Sequence, residues 1–429
     1  MIVKRDYYLN ELIKKLHNKK VKVITGLRRV GKSFLLKTLF YNYLIERGIQ
    51  EKQIHIVNLD ELSMIKYRNP FLLMEYLNDN LLKDKMNYVF IDEIQFVERI
   101  KNPYLDDSYV GFYEVLNELL NRENIDIYVT GSNSKMLSSD ILTEFRGRGD
   151  NIHIMPLSIK ELFEYYDKDF NSLYNDYQMY GGLPYLVNLS SDEEKSKYLK
   201  DLANETYLKD ITERNNIVKT NEIFILTNVL ASTIGSYTNN SKISNTFKSN
   251  LGTIYGKETI KKHIGYLKDA FLISEVNRYD IKGRKYIGAN SKFYFSDVGI
   301  RNAILNFRQL EPTHLMENII YNHLIMYKYN VDVGIVEVNV KESGKYIKKQ
   351  LEVDFIISKG NVKIYIQSAY NIDSLTKIKQ EKNSLINIDD SFKKIIIVKD
   401  NFKPWYDDNG ILMLSLKDFL LDVEIIKKV

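Results

Sequence analysis

Apolar positions change their period along the chain. Short, continuous β-rich apolar runs lie at about 21–25, 54–59, 87–92, 126–130 and 151–155, and the segments between them are mostly helical in spacing. Five β units alternating with helices predict an α/β domain over 1–190, a doubly wound parallel sheet with ligands at the strand C-termini. From 190 to 215 the chain is polar and helical, as suits a lid or connector. "IFILTNVLASTIGSY" then reads as a buried helix, and a shorter helix-like segment falls within 238–256. In "GKETIKKHIGYLKDAFLI", Ile260, Ile264, Leu267 and Phe271 recur at helical spacing, with Lys257, Lys261 and Lys268 off the stripe. Two β-like runs flank "IKGRKY". Three helices and a hairpin predict a winged helix within 191–300. Over 301–429, an apolar-striped helix ("THLMENIIYNHLIMYKYN") precedes strands at about 332–340, 350–358, 362–369 and 394–399. In the second of these, Leu351, Val353, Phe355 and Ile357 face one way, Glu352 and Asp354 the other.

Composition adds limits. A length of 429 residues fits two or three domains, and 44% apolar residues suffice for their cores. Charged residues at 27% and a net charge of +5 describe a soluble, mildly basic chain that permits nucleic-acid contact without demanding it. The absence of cysteine excludes disulfides and thiolate metal sites and points to the reducing cytoplasm. No apolar signal core opens the chain, and no apolar run approaches the ~20 residues of a membrane span. Six scattered histidines give no zinc-ligand spacing, and nothing resembles a Ser/His/Asp hydrolase.

The chemistry concentrates at predicted strand ends. In "VKVITGLRRVGKSFLLKTLF", Gly26, Gly31, Lys32 and Ser33 match G-x-x-x-x-G-K-[ST] between a strand and a helix. Glycines let backbone N–H groups wrap phosphate oxygens, and the helix start adds positive potential. Lys32 reaches the β- and γ-phosphates of ATP and the Ser33 hydroxyl ligates Mg²⁺. Arg28 and Arg29 lie inside the loop, either shaping the phosphate pocket or facing solvent. "YVFIDEIQ" is a buried strand ending in Asp92, which holds Mg²⁺ through water, and Glu93, which polarises the attacking water. In "IYVTGSNSKML", Ser132 or Asn133 is placed to touch the γ-phosphate or the lytic water.

Together "GLRRVGKS", "FIDEIQ" and the strand between them resemble the AAA+ branch of P-loop ATPases. More narrowly, "TGSNSKML", "RGR" followed by "PLSIKEL", and "YGGLP" are similar to a group of archaeal and bacterial AAA ATPases. In that group the C-terminal half is a domain of unknown function near the restriction-endonuclease-like fold. The resemblance implies an arginine acting on a nucleotide. "FRGRGD" offers Arg146 and Arg148, of which Arg148 matches the family's Gly-Arg position, in cis or, in a homo-oligomer, in trans. The helix acid, strand acid and paired strand of 301–429 resemble the PD-(D/E)xK nuclease core. Glu317 and Asp354 match it, but Gln367 stands where the second acid belongs and Ala369 where the lysine belongs. A lysine migrated from elsewhere, such as Lys363, is the remaining route to cleavage. The expectation is a Mg²⁺-dependent ATPase domain, a winged helix and a catalytically degenerate endonuclease-like α/β domain. Its turnover is coupled to double-stranded DNA through basic wing residues (Arg278, Lys282, Arg284, Lys285). Alternatively, the protein is a nucleotide-controlled switch that binds a protein partner, or, less favoured, an active metal-dependent nuclease.

Overall fold

The computed structural model describes residues 2–131, 147–252, 255–342 and 345–428. It forms two compact units, 1–156 with 269–271, and 157–268 with 272–429.

The first unit is built on five parallel strands, β1 (Val21–Thr25), β2 (Ile54–Asn58), β3 (Asn87–Asp92), β4 (Ile125–Thr130) and β5 (Gly149–His153), in the order β2-β3-β4-β1-β5. β1 lies between β4 and the edge strand β5, with Ile24 level with Thr130 of β4 and with Ile152 of β5. All residues of β1, β3 and β4 are buried, as the continuous apolar runs require. Val57, Val89, Ile91, Val115 and Leu116 share the core on one side of the sheet. Two charges are buried on the other face. Lys22 of β1 forms a short ion pair with Asp126 of β4, and Tyr128 donates to the same carboxylate at 2.7 Å. Burial lowers the Lys22 pKa although Asp126 opposes the shift, so each charge depends on the other.

The second unit carries a mixed eight-stranded sheet. Its strands are β6 (Ile273–Asp280), β7 (Lys285–Phe295), β8 (Asn330–Glu342), β9 (Lys345–Lys359), β10 (Val362–Ala369), β11 (Lys393–Val398), β12 (Trp405–Tyr406) and β13 (Leu412–Ser415). Their order is β12-β13-β11-β10-β9-β8-β6-β7. Three helices, Thr220–Ser232, Asn240–Leu251 and Lys257–Asp269, precede the β6–β7 hairpin. Ile260, Ile264 and Leu267 are buried, as their spacing predicts, with Lys257, Lys261 and Lys268 exposed. The hairpin is not separate from the chain beyond residue 300. β6 runs parallel to β8, with Arg278 level with Val333, so one sheet spans both sides of that position.

The "YGGLP" segment is fixed by close packing. Gly181 has φ +75°, and a Cβ there would lie 2.2 Å from Asp297 Oδ1; one on Gly182 would lie 2.1 Å from the Leu157 carbonyl oxygen. Asp297 accepts from the N–H of Gly182 at 2.8 Å and of Ile300 at 3.0 Å, capping the helix Val298–Ile304. Burial pushes its carboxyl up to about 6, against the pull of those backbone N–H groups. The unfolded carboxyl therefore ionises first, and stability falls as pH rises from about 4 to about 6 before levelling. Asp297→Asn removes this ionisation. Urea unfolding of both proteins at either end of that window should shift their stability difference against the wild type by about 3 kcal/mol, at roughly 1.4 kcal/mol per unit. A constant difference would show that Asp297 titrates like a free carboxyl.

Candidate functional site

The site lies at the C-terminal end of the first sheet, where β1 runs into its glycine loop. Gly26 has φ +144°, and a Cβ there would meet the Ile154 carbonyl oxygen at 2.3 Å, so only glycine lets the chain turn off the strand. Gly31 has φ +91° and starts the helical run over 32–46, with the Leu35 N–H donating to its carbonyl at 2.9 Å. Arg5 braces the loop from outside. It is 5% exposed and donates to the carbonyls of Val30 at 3.0 Å and Met155 at 2.7 Å. Arg28 and Arg29 are both exposed, Arg29 with φ +66°.

Lys32 lies under the loop, 4% exposed, with Nζ donating to the carbonyls of Gly26 and Leu27, each at 3.1 Å. Burial lowers its pKa to about 8, Glu93 and Asp92 opposing the shift. Both oxygens of Asp92, the last residue of β3, are engaged. Ser33 Oγ donates to Oδ1 at 3.0 Å, Thr130 Oγ1 makes a short bond to the same oxygen, and Lys37 Nζ lies 2.6 Å from Oδ2. Glu93 follows in the left-handed region, φ +56° and ψ +52°. Its N–H donates to Thr130 Oγ1 at 3.0 Å, and Gln95 donates to its carboxylate. A non-glycine residue held there is costly and recurs at functional sites.

The structure brings Gly26, Gly31, Lys32, Ser33, Asp92 and Glu93 together at the C-terminal end of the sheet. Ser132, Asn133 and Arg146 lie outside the described residues. Arg148 is exposed and not beside the loop. Its carbonyl accepts the Val21 N–H at 2.9 Å, at the opposite end of β1 from Gly26. Four extended residues, roughly 13 Å, separate those ends. Three residues of the site were not anticipated. Thr130 closes a strand as ordinary β-formers do. Lys37 had a signal, since it follows Ser33 by four residues and so shares its helix face. Arg5 had none.

The carboxylates of the second unit are also placed. Glu317, on the helix Pro312–Met326, and Asp354, on β9, are buried. Asp354 accepts the Ser368 N–H at 2.8 Å. Gln367 Oε1 accepts the Asp354 N–H at 3.4 Å, and its Nε2 lies 3.4 Å from Glu381. Ala369 is buried. Among the described residues no group of three or more His, Cys, Asp or Glu is arranged to hold a metal ion. Of the expected basic wing residues, Lys282, Arg284 and Lys285 are exposed. Arg278 is not available to phosphates. It is 8% exposed, lies 4.7 Å over the Tyr237 ring and donates to Gln350 at 2.8 Å.

A family model described as an AAA domain matches residues 18–163, and one described as a domain of unknown function (DUF8612) matches 171–311. An uncharacterized protein of Haemophilus influenzae is 32% identical over 98% of this chain and 99% of its own length. One of Methanocaldococcus jannaschii is 28% identical over 97% of this chain and 89% of its own. The solved Walker-type ATPase of Pyrococcus abyssi is 16% identical, with a TM-score of 0.48, covering 71% of this chain and 96% of that one. Among the described residues no helix is long and apolar enough to cross a membrane. The chain belongs to the family of P-loop ATPases that join this AAA domain to a C-terminal domain of unknown function.

Proposed function

We propose that the protein is a Mg²⁺-dependent ATPase whose turnover is coupled to binding double-stranded DNA. The observation that carries the ATPase reading is the meeting of Ser33, Thr130 and Asp92, with Glu93 turned out of β3 beside them. The N–H groups of the loop after Gly26 cradle the phosphates, and Lys32 exchanges its two carbonyl partners for phosphate oxygens. Ser33 and Asp92 are hard oxygen donors of the kind Mg²⁺ takes. When bound, that ion neutralises charge on the β- and γ-oxygens. Glu93 orients the attacking water and receives its proton, its backbone held by Thr130. Ser132 and Asn133 remain candidates for sensing the γ-phosphate. Arg148, at the far end of β1 from its own loop, is a candidate for a neighbouring subunit's nucleotide.

The DNA reading is supported by the three helices followed by the β6–β7 hairpin, a winged-helix order, with Lys282, Arg284 and Lys285 exposed at its turn. The order helix Pro312–Met326, β8, β9, β10, helix Leu375–Ile386, β11 supports an endonuclease-like unit beyond it. With neither acid nor lysine at Gln367 and Ala369, we infer that this unit does not cut.

The deciding measurement is ATP turnover at low salt with and without double-stranded DNA, beside Lys32→Ala as background. Stimulation that fades steeply with added salt is expected. Turnover indifferent to DNA, with association to a protein partner that differs between ADP and ATP, would replace the DNA coupling by a protein-interaction switch. Turnover no higher than that of Lys32→Ala would sink the ATPase reading itself.

A further inference from the structure

The ATP site leaves unused a buried group of charges in the second unit. Lys292 of β7 is 2% exposed, yet its ammonium bonds Glu317 Oε1 at 2.8 Å and Glu352 Oε1 at 2.5 Å. Tyr294 donates to the same Glu317 oxygen at 2.5 Å, and His314 Nδ1 lies 3.9 Å from the other. Asp354 acts on the same lysine electrostatically. Two carboxylates, one from a helix and one from a strand, thus bond one ammonium, and Asp354 lies two residues along β9 from Glu352 on the same face. Carboxylates gathered out of water need a counter-charge, ordinarily a metal ion or a paired base. Here the base is Lys292, tethered to β7, and it bonds Glu317 and Glu352.

We propose that the Lys292 ammonium permanently occupies the place of a divalent cation among Glu317, Glu352 and Asp354, so that the second unit is closed to metal by its own side chain. The contacts of the ammonium agree with this, since it bonds a carboxylate from the helix and one from β9 at once. This deepens the non-cutting endonuclease-like reading and gives it a second cause besides Gln367 and Ala369.

The experiment uses the full, nucleotide-free chain as wild type, as Lys292→Met, and as the double variant Lys292→Met with Glu317→Gln. Mn²⁺ binding is counted by equilibrium dialysis, and unfolding temperature is read with Mn²⁺ or with chelator. Lys292→Met in chelator should unfold on the order of 10 °C below the wild type. With Mn²⁺ it should bind one ion more per chain than the wild type and regain most of that loss. The double variant should recover stability without metal and bind no extra ion. If Lys292→Met gains no ion, or stays unfolded whether or not Mn²⁺ is present, the carboxylates cannot hold a cation in the lysine's place and the proposal is overturned. The same holds if the wild type binds an ion that Asp354→Asn removes. Nicking of plasmid DNA by the wild type with Mn²⁺ would instead defeat the non-cutting reading, a result separable from the ion count.

Discussion

Glu93→Gln is expected to bind ATP as the wild type does and to lose turnover by roughly 10²- to 10⁴-fold, the usual contribution of a positioned general base. The amide matches the carboxylate in size, so it can keep the left-handed turn held by the Thr130 hydroxyl and the contact with Gln95. It cannot take a proton. Single-turnover hydrolysis of pre-bound ATP isolates the chemical step, and titration with a fluorescent ATP analogue checks that affinity is unchanged. A Glu93→Gln protein turning over at the wild-type rate would remove Glu93 from the mechanism and leave its strained backbone unexplained. A variant that also lost ATP affinity would mean that Glu93 shapes the loop instead of acting on water.

Lys32→Ala is expected to weaken ATP binding by roughly 10- to 150-fold, since a hydrogen bond to a charged group is worth about 1.5–3 kcal/mol. The ligand-free protein should not become less stable. Burial already lowers the Lys32 pKa, and among the described residues its ammonium donates to the carbonyls of Gly26 and Leu27. Removing a desolvated charge offsets the loss of those two bonds. The combination is diagnostic, with the unfolding temperature held or raised and the affinity collapsed. Affinity within twofold of the wild type would show that Lys32 does not reach phosphate.

The elements and the loop were legible where one physical demand dominates. β1 and β3 are continuous apolar runs because both faces of their sheet are covered, and Gly26 and Gly31 stand where the backbone adopts positive φ. The pairing of Ser33 with Asp92 follows from two motifs meeting at the C-terminal ends of β1 and β3, the strands on either side of β4. What stayed hidden depends on partners distant in sequence. Lys22 looks misplaced in a buried strand until Asp126 arrives from β4. Thr130 is chemically silent until β4 sets it against Asp92, and attention to polar residues in the same segment fell on Ser132 and Asn133. The β6–β7 hairpin looks complete as a wing, since local alternation carries no trace of its parallel pairing with β8. That pairing, and the Tyr237 ring beneath it, turn Arg278 from a phosphate contact into part of the interior.

The strand order of the first sheet also governs when the site comes into being. β1 leaves the ribosome early, but both its neighbours, β4 and β5, are encoded about a hundred residues later or more, and the Met155 carbonyl that Arg5 grips later still. At about 5–20 residues per second, the strand bearing the phosphate loop waits roughly 5–20 s without either edge partner. Through that interval its apolar residues are exposed to solvent or to chaperones, and the nascent chain has no formed pocket with which to draw on the cell's ATP. Nucleotide can stabilise this domain only after synthesis has passed residue 155, so ligand binding acts on the finished domain and cannot guide its early folding.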